Sequence, residues 1–257
     1  SSLTYSFNKN KIVELLDDAV DDEGNHYTLK EIDKGGIGSA KIILRKGGDM
    51  GDMYVTNRLK RDQEGNIYID KTTQNVKKED IKNSDEFIHV GSVLPKGNMG
   101  FRNDFSYKSI NLGFMLSARF GGIVMSPTQA VMDQFGVSKT TELARESEGI
   151  AINNGLVDTQ TFYTETAGVS GLMSNYIYSA TNVRLQEVSV GYIFPAKWFN
   201  NKCNLSLTLT GHNLWMIYNK APFDPESTAS TGTYYQGIDY FMQPSLKSWG
   251  FNVKIQF

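Results

Sequence analysis

Apolar and polar residues alternate one by one along six stretches of this chain, the spacing of β-strands with one greasy and one hydrated face. The clearest stretch is Ser248 to Phe257. Trp249, Phe251, Val253, Ile255 and Phe257 share one face; Ser248, Gly250, Asn252, Lys254 and Gln256 share the other. A hairpin is predicted around Lys108-Ser109. Met99, Phe101, Phe105 and Tyr107 alternate down one arm, with Asn103 out of type, and Ile110, Leu112, Phe114, Leu116, Ala118 and Phe120 alternate up the other. The opposite faces carry Asp104, Ser106, Asn111, Gly113, Ser117 and Arg119. A further pair joins Val188, Val190, Tyr192 and Phe194 to Leu205, Leu207 and Leu209, through a link from Pro195 to Asn204 that holds Trp198 and Phe199. Alternation slips by one residue near Leu185–Val188, which predicts a bulge. Leu3, Tyr5 and Phe7 mark the first and weakest strand. The predicted strands lie near 1–12, 99–107, 110–120, 183–194, 205–214 and 246–257.

The connections are very unequal. Two are short, at Lys108-Ser109 and Pro195–Asn204; three are long, roughly Val13–Asn98, Gly121–Thr181 and Gly211–Ser245. Short and long alternate strictly, as in an antiparallel transmembrane β-barrel with tight turns on one rim and long extracellular loops on the other. An all-β fold of that kind is expected, with a soluble or surface-attached β-rich glycan-binding module as the alternative, since a sandwich can also gather its long loops at one end. Within the loops, Ser126-Pro127-Thr128-Gln129 opens a helix with Ser126 as N-cap, and Gly136 ends it. Arg61 to Asn66 reads as a turn between Tyr54–Lys60 and Ile67–Asp70.

Composition changes this picture little. Of 257 residues, 12% are aromatic and only six are proline, which favours strands. A net charge of −2 gives no electrostatic reason to expect a nucleic-acid partner. Cys203 is the only cysteine, so neither an intrachain disulfide nor a cysteine metal cage can form. His26, His89 and His212 stand far apart, and none has a metal-ligand spacing. No nucleophile–base pair, phosphate loop or dinucleotide fingerprint appears, so neither catalysis, a cofactor nor a metal is expected. Lys34-Gly35-Gly36-Ile37-Gly38 lacks the strand–helix context of a phosphate loop and reads as a flexible turn. No apolar run approaches the roughly 18 residues of a membrane helix, which leaves barrel strands untouched by the argument. Ser1 to Tyr5 carry no signal-peptide features and read as the interior of a strand, as in a fragment.

Several ordered words then resemble one family. Leu185-Gln186-Glu187-Val188-Ser189-Val190-Gly191-Tyr192, closing on Pro195, is similar to a barrel strand of SusC/RagA-like TonB-dependent transporters. Gly211-His212-Asn213-Leu214-Trp215 resembles their next strand end, with His212 where Arg or Gln is usual. Phe223-Asp224-Pro225-Glu226, Gly237-Ile238-Asp239-Tyr240 and the terminal Gly250 to Phe257 also match, as do Ser6 to Lys11, Gly51 to Tyr54 and Arg119 to Gly122 upstream. The resemblance implies an importer in the outer membrane of a Gram-negative bacterium. Its barrel would have about twenty-two strands, of which this chain supplies the C-terminal part; plug and TonB-contacting segments would lie outside it. The implied partners are a SusD-like surface lipoprotein, the TonB complex, the remainder of the barrel and the lipid bilayer. The implied substrates are oligosaccharides or peptides.

Candidate site residues follow, each with a plainer reading beside it. Trp215, Tyr218, Tyr234 and Tyr235 fall in an expected outer loop, where they would grip substrate or simply pack against neighbours. Arg119, near the outer rim with Asn111 and Ser117, would line the solute path or pair with an acidic plug or loop residue. Trp249, Phe251 and Phe257 look like a barrel-assembly signal; a core strand that happens to end the protein is the alternative. Asp62, Glu64 and Asp70 lack the spacing of a calcium loop and read as solvated turns.

Overall fold

A computed structural model describes the chain apart from residues 201, 231, 233, 234 and 257. Six strands form one antiparallel sheet, the wall: β1 (Ser2–Phe7), β2 (Gly97–Tyr107), β3 (Ile110–Phe120), β4 (Asn182–Ile193), β5 (Asn204–Asn219) and β6 (Ser248–Gln256). They lie side by side in chain order, and among the described residues β1 and β6 each pair on one side only. Lys108 takes the left-handed backbone (φ 52°) that closes the tight turn between β2 and β3.

Strand register sorts the alternating residues into rows across the wall. Phe105, Leu112, Val190, Leu209 and Phe251 stand opposite one another on the outer face, followed by Tyr107, Ile110, Tyr192, Leu207 and Val253. The rows between them point to the inner face: Asp104, Gly113, Ser189, Thr210 and Gly250, then Ser106, Asn111, Gly191, Thr208 and Asn252. Bulges keep the rows aligned: Gln186 on β4, and Asn213 and Ile217 on β5, fall where the register shifts. Gly211 faces Trp249, whose ring lies so close that a Cβ at 211 would meet it at 2.8 Å. The indole covers the bare backbone there.

The outer face is greasy and uncovered. Trp249 is 67% exposed and Phe251 79%, where the core of a soluble module would bury them. An apolar outward face, a polar inward face and all-antiparallel pairing make this sheet part of a transmembrane β-barrel wall. Two strand limits differ from the sequence reading by more than two residues. β1 ends at Phe7, because Asn8 onward leaves the wall. β5 continues past Leu214 to Asn219, because Leu185, Arg184, Val183 and Asn182 pair with its last residues.

The three long connections fold together into a cap with its own core. The first carries a four-stranded sheet of Glu31–Ile37, Ala40–Arg45, Asp52–Val55 and Ile88–Ser92. The run from Lys34 to Gly38 is thus a strand end and a tight hairpin rather than a flexible turn. Asn57–Leu59 pairs with Lys78–Asp80, while the expected turn brings Arg61 to Ile67 and the Tyr68 amide to the Lys60 carbonyl, with the Asp62 carboxylate accepting the Glu64 and Asn66 amides inside it. The second connection holds α1 (Pro127–Gln134), α2 (Lys139–Glu146) and α3 (Thr159–Thr166). Ser126 caps α1 by accepting the Gln129 amide, and Gly136 turns the chain out of the helix with a positive φ. Ile42, Met53 and Val93 of the first connection, Met125, Met173 and Tyr176 of the second and Ile238 of the third meet in one buried cluster.

The two faces of β5 should therefore respond oppositely to charge. In the full-length barrel refolded into lipid vesicles, Leu209→Arg is expected to cost about 2–4 kcal/mol in a denaturant titration, while Thr208→Arg costs little. Equal costs would contradict the assignment of faces.

Candidate functional site

The third connection, residues 220–247, joins the wall to the cap, and polar side chains hold it at both ends. At the wall end, Asn219 closes β5 by donating from Nδ2 to the Ala221 and Phe223 carbonyls, at 2.9 and 2.6 Å. Its Oδ1 accepts the Ala221 amide at 3.1 Å. Phe223 then packs edge-on against Tyr178, at 5.5 Å between ring centres.

Asp224, next in the chain, is the hub. Its Oδ1 accepts from Arg184 Nη2 at 2.7 Å and from the Glu226 amide at 3.1 Å; its Oδ2 accepts the Ser245 amide at 3.1 Å. Glu226 lies 3.3 Å from the same guanidinium, whose side chain is only 4% exposed. Ser227 Oγ donates to the Gln243 carbonyl at 3.0 Å, so the segment closes on itself as an Ω-loop with Asp224 at its neck. Burial pushes the Asp224 carboxyl upward. Hydrogen bonds from Ser245, the Glu226 amide and Arg184 outweigh that push and hold it below its ordinary range.

At the cap end, the Met125 amide donates to the Gly237 carbonyl at 2.9 Å, and the Asp239 amide returns a bond to the Met125 carbonyl at 2.8 Å. Ile238 between them is fully buried. Ser126, the α1 cap, donates its hydroxyl proton to Asp239 Oδ2 at 2.6 Å. Gly237 cannot carry a side chain, since a Cβ would stand 2.6 Å from Val93 Cβ. Deeper in the cap, Tyr176 donates to Asp133 at 3.0 Å, and burial together with that carboxylate raises its phenol well above the ordinary range.

Below the rim, the inner face of the wall carries a charged row. Arg102 bonds Asp104 at 3.0 Å and lies 3.7 Å from Glu187, which lies 3.7 Å from His212 Nδ1. These groups present hydrated charge to the interior of the barrel. Among the described residues, no three His, Cys, Asp or Glu side chains gather as metal ligands.

The sequence-predicted residues do not converge on one place. Trp215 and Tyr218 are not in a loop: they sit on β5, opposite Leu185 and Val183, on the outer face. Trp215 is 62% exposed there. The prediction placed them wrongly because β5 keeps its hydrogen-bonding partner beyond the Asn213 bulge. Arg119 donates from Nη2 to the Val93 carbonyl at 3.0 Å, and the Glu226 carboxylate of the third connection attracts its guanidinium. Tyr235 stands at the edge of the cap, half exposed. Trp249 and Phe251 lie on the outer face of β6. Tyr234 and Phe257 lie outside the described residues. Arg184 and Asp224 were missed. The available signal was Arg184 at an inward position of β4, followed by the paired acids of Phe223-Asp224-Pro225-Glu226.

This is the wall of a transmembrane barrel with an ordered cap on one rim, and comparison with known proteins narrows the class. No family model matches the chain. The chain is 22% identical over its whole length to TonB-dependent receptor P3 of Formosa agariphila, and spans 26% of that protein. TonB-dependent receptor P39 of the same organism matches 65% of the chain, again at 22% identity. In fold, the chain is similar to the RagAB peptide importer in its open-open state, with a TM-score of 0.59 over 98% of the chain at 13% identity. It covers 26% of that solved chain. A second structure of the RagAB peptide transporter gives 0.55 over 89%. In sequence the chain is similar to TonB-dependent receptors, and in fold to the RagAB importer. It spans about a quarter of the length of the relatives it matches.

The neck of the Ω-loop has a predictable pH response. Folding lowers the Asp224 proton affinity, so the clamp is at full strength above the ordinary Asp value of about 3.9. It weakens as pH falls through the lower folded value. Hydrogen exchange at the Ser245 amide, referenced to the intrinsic rate at each pH, should stay slow from neutral pH down to about 4 and quicken below it. Asp224→Asn should abolish that acid step and cost about 1.5–3 kcal/mol of local protection.

Proposed function

We propose that this chain forms the C-terminal barrel wall and part of the outer cap of an active nutrient importer in the outer membrane of a Gram-negative bacterium. The observation that carries the reading is the wall itself. An apolar outer face and two strand edges without partners among the described residues need lipid on one side and more barrel strands at both ends. The relatives' names supply the rest: TonB-dependent receptors, and a peptide importer. On this reading a SusD-like lipoprotein sits on the cap and traps oligosaccharide or peptide between them. TonB, acting through the plug, then drives release into the periplasm. The chain's role is containment and recognition rather than enzymatic chemistry.

Individual residues take roles within that reading. Trp215 and Tyr218, greasy and near the outer rim, sit where an aromatic girdle meets lipid headgroups. Trp249 and Phe251, with Phe257, form the terminal signal read by the assembly machinery. Arg119 ties the wall to the first connection. The charged row of Arg102, Glu187 and His212 faces the interior, where a plug would fit.

Uptake of oligosaccharide or peptide by cells making the full-length protein should cease when TonB is deleted or the proton-motive force is collapsed. Undiminished uptake under either condition would overturn active import. Removal of Phe257 from the full-length protein is expected to lower its surface abundance, read by labelling intact cells; unchanged abundance would remove the assembly role.

A further inference from the structure

The Ω-loop holds one bulky residue in a backbone conformation that bulky residues avoid. Phe241 has φ 52°, in the left-handed region, yet is 57% exposed. Its amide donates to Thr128 Oγ1 at 2.7 Å, and Thr128 also reaches the Asp239 carbonyl at 3.3 Å. Strain of this kind persists only where the surroundings impose it, and it concentrates at ligand-handling sites. Here it turns an aromatic ring outward beside Tyr240, with 5.2 Å between ring centres.

Next to that pair lies a cleft of about 340 Å³, lined by Ile37, Ala229, Tyr235 and Tyr240. Its walls are fixed from behind. Ile37 packs on the cap core, and the Ala229 amide donates at 2.8 Å to the carbonyl of the fully buried Ile238. Tyr240 follows Asp239, which Ser126 holds. The volume is that of a small ligand pocket. Its described lining carries no charge, and its only polar side-chain atoms are two phenol oxygens.

We infer that this cleft binds a large apolar side chain, aromatic or aliphatic, of a peptide entering the importer. A charged group would lose its hydration without a counter-charge. A sugar ring brings several hydroxyls, and the two phenols leave most of them without partners. An apolar side chain asks for nothing but contact area, which Ile37, Ala229 and the tyrosine rings supply. Phe241 stands beside the Tyr240 wall of the cleft, ring against ring. The inference deepens the importer reading and rests on it for the direction in which the peptide travels.

The test uses the purified full-length protein and isothermal titration with three probes: Gly-Gly-Phe-Gly-Gly, Gly-Gly-Asp-Gly-Gly and maltoheptaose. The phenylalanine peptide should bind most tightly. Tyr240→Ala, which empties one wall, and Ala229→Trp, which fills the cleft from an exposed position, should each weaken it about tenfold and leave the other probes unchanged. Phenylalanine-peptide binding that is indifferent to both variants overturns the cleft while leaving import standing. Weakening of maltoheptaose alone, or no binding of any probe, overturns it as well. If the variants weaken the phenylalanine peptide but uptake proves independent of TonB, the cleft stands and active import falls.

Discussion

In hydrocarbon a backbone amide has no water to fall back on, so a strand survives there only fully paired along both edges. That constraint organises everything else in this chain. It forces the wall strands into register, and register turns period-two alternation into rows: Phe105, Leu112, Val190, Leu209 and Phe251 outward, and their polar neighbours inward. The bulges at Gln186 and Asn213 show how tightly the constraint binds. Each takes up an extra residue so that the rows above it keep their sides.

Above the rim water returns and a different rule applies. The three connections bury their apolar side chains in a shared core: the four-stranded sheet of the first, α1 and Tyr176 of the second, and Ile238 of the third. The third connection is the shortest of these and contributes least to that core, and it is secured by charge and capping instead. Arg184 and Asp224 fasten its neck to the wall, while Asp239 and Ser126 fasten its far side to the cap. A buried guanidinium is acceptable at the rim because two carboxylates and the polar ends of β4 and β5 surround it. The result is a rigid frame that presents Tyr235, Tyr240 and Phe241 beside the cap core.

Two family-like words change meaning once their positions are known. Phe223-Asp224-Pro225-Glu226 and Gly237-Ile238-Asp239-Tyr240 served in the sequence only as marks of resemblance. In the structure they are the two attachments of one loop, each built from an apolar anchor followed by a carboxylate that accepts hydrogen bonds from a neighbouring element. Trp215 went the other way. Its neighbours in sequence suggested a loop, but pairing with Leu185 makes it a wall residue.

Alternation alone determined the wall, because a strand's two faces are written in consecutive residues and need no knowledge of what lies across the sheet. It also determined the helix start at Ser126, the Lys108 turn and the slip near Gln186, all of which are local events. Tertiary structure decided how far β5 runs, what Arg119 and Arg184 meet, and that three connections become one cap. Those outcomes depend on partners tens to more than a hundred residues away, as between Ser126 and Asp239, and a backbone acceptor such as the Val93 carbonyl leaves no mark in the pattern of side chains.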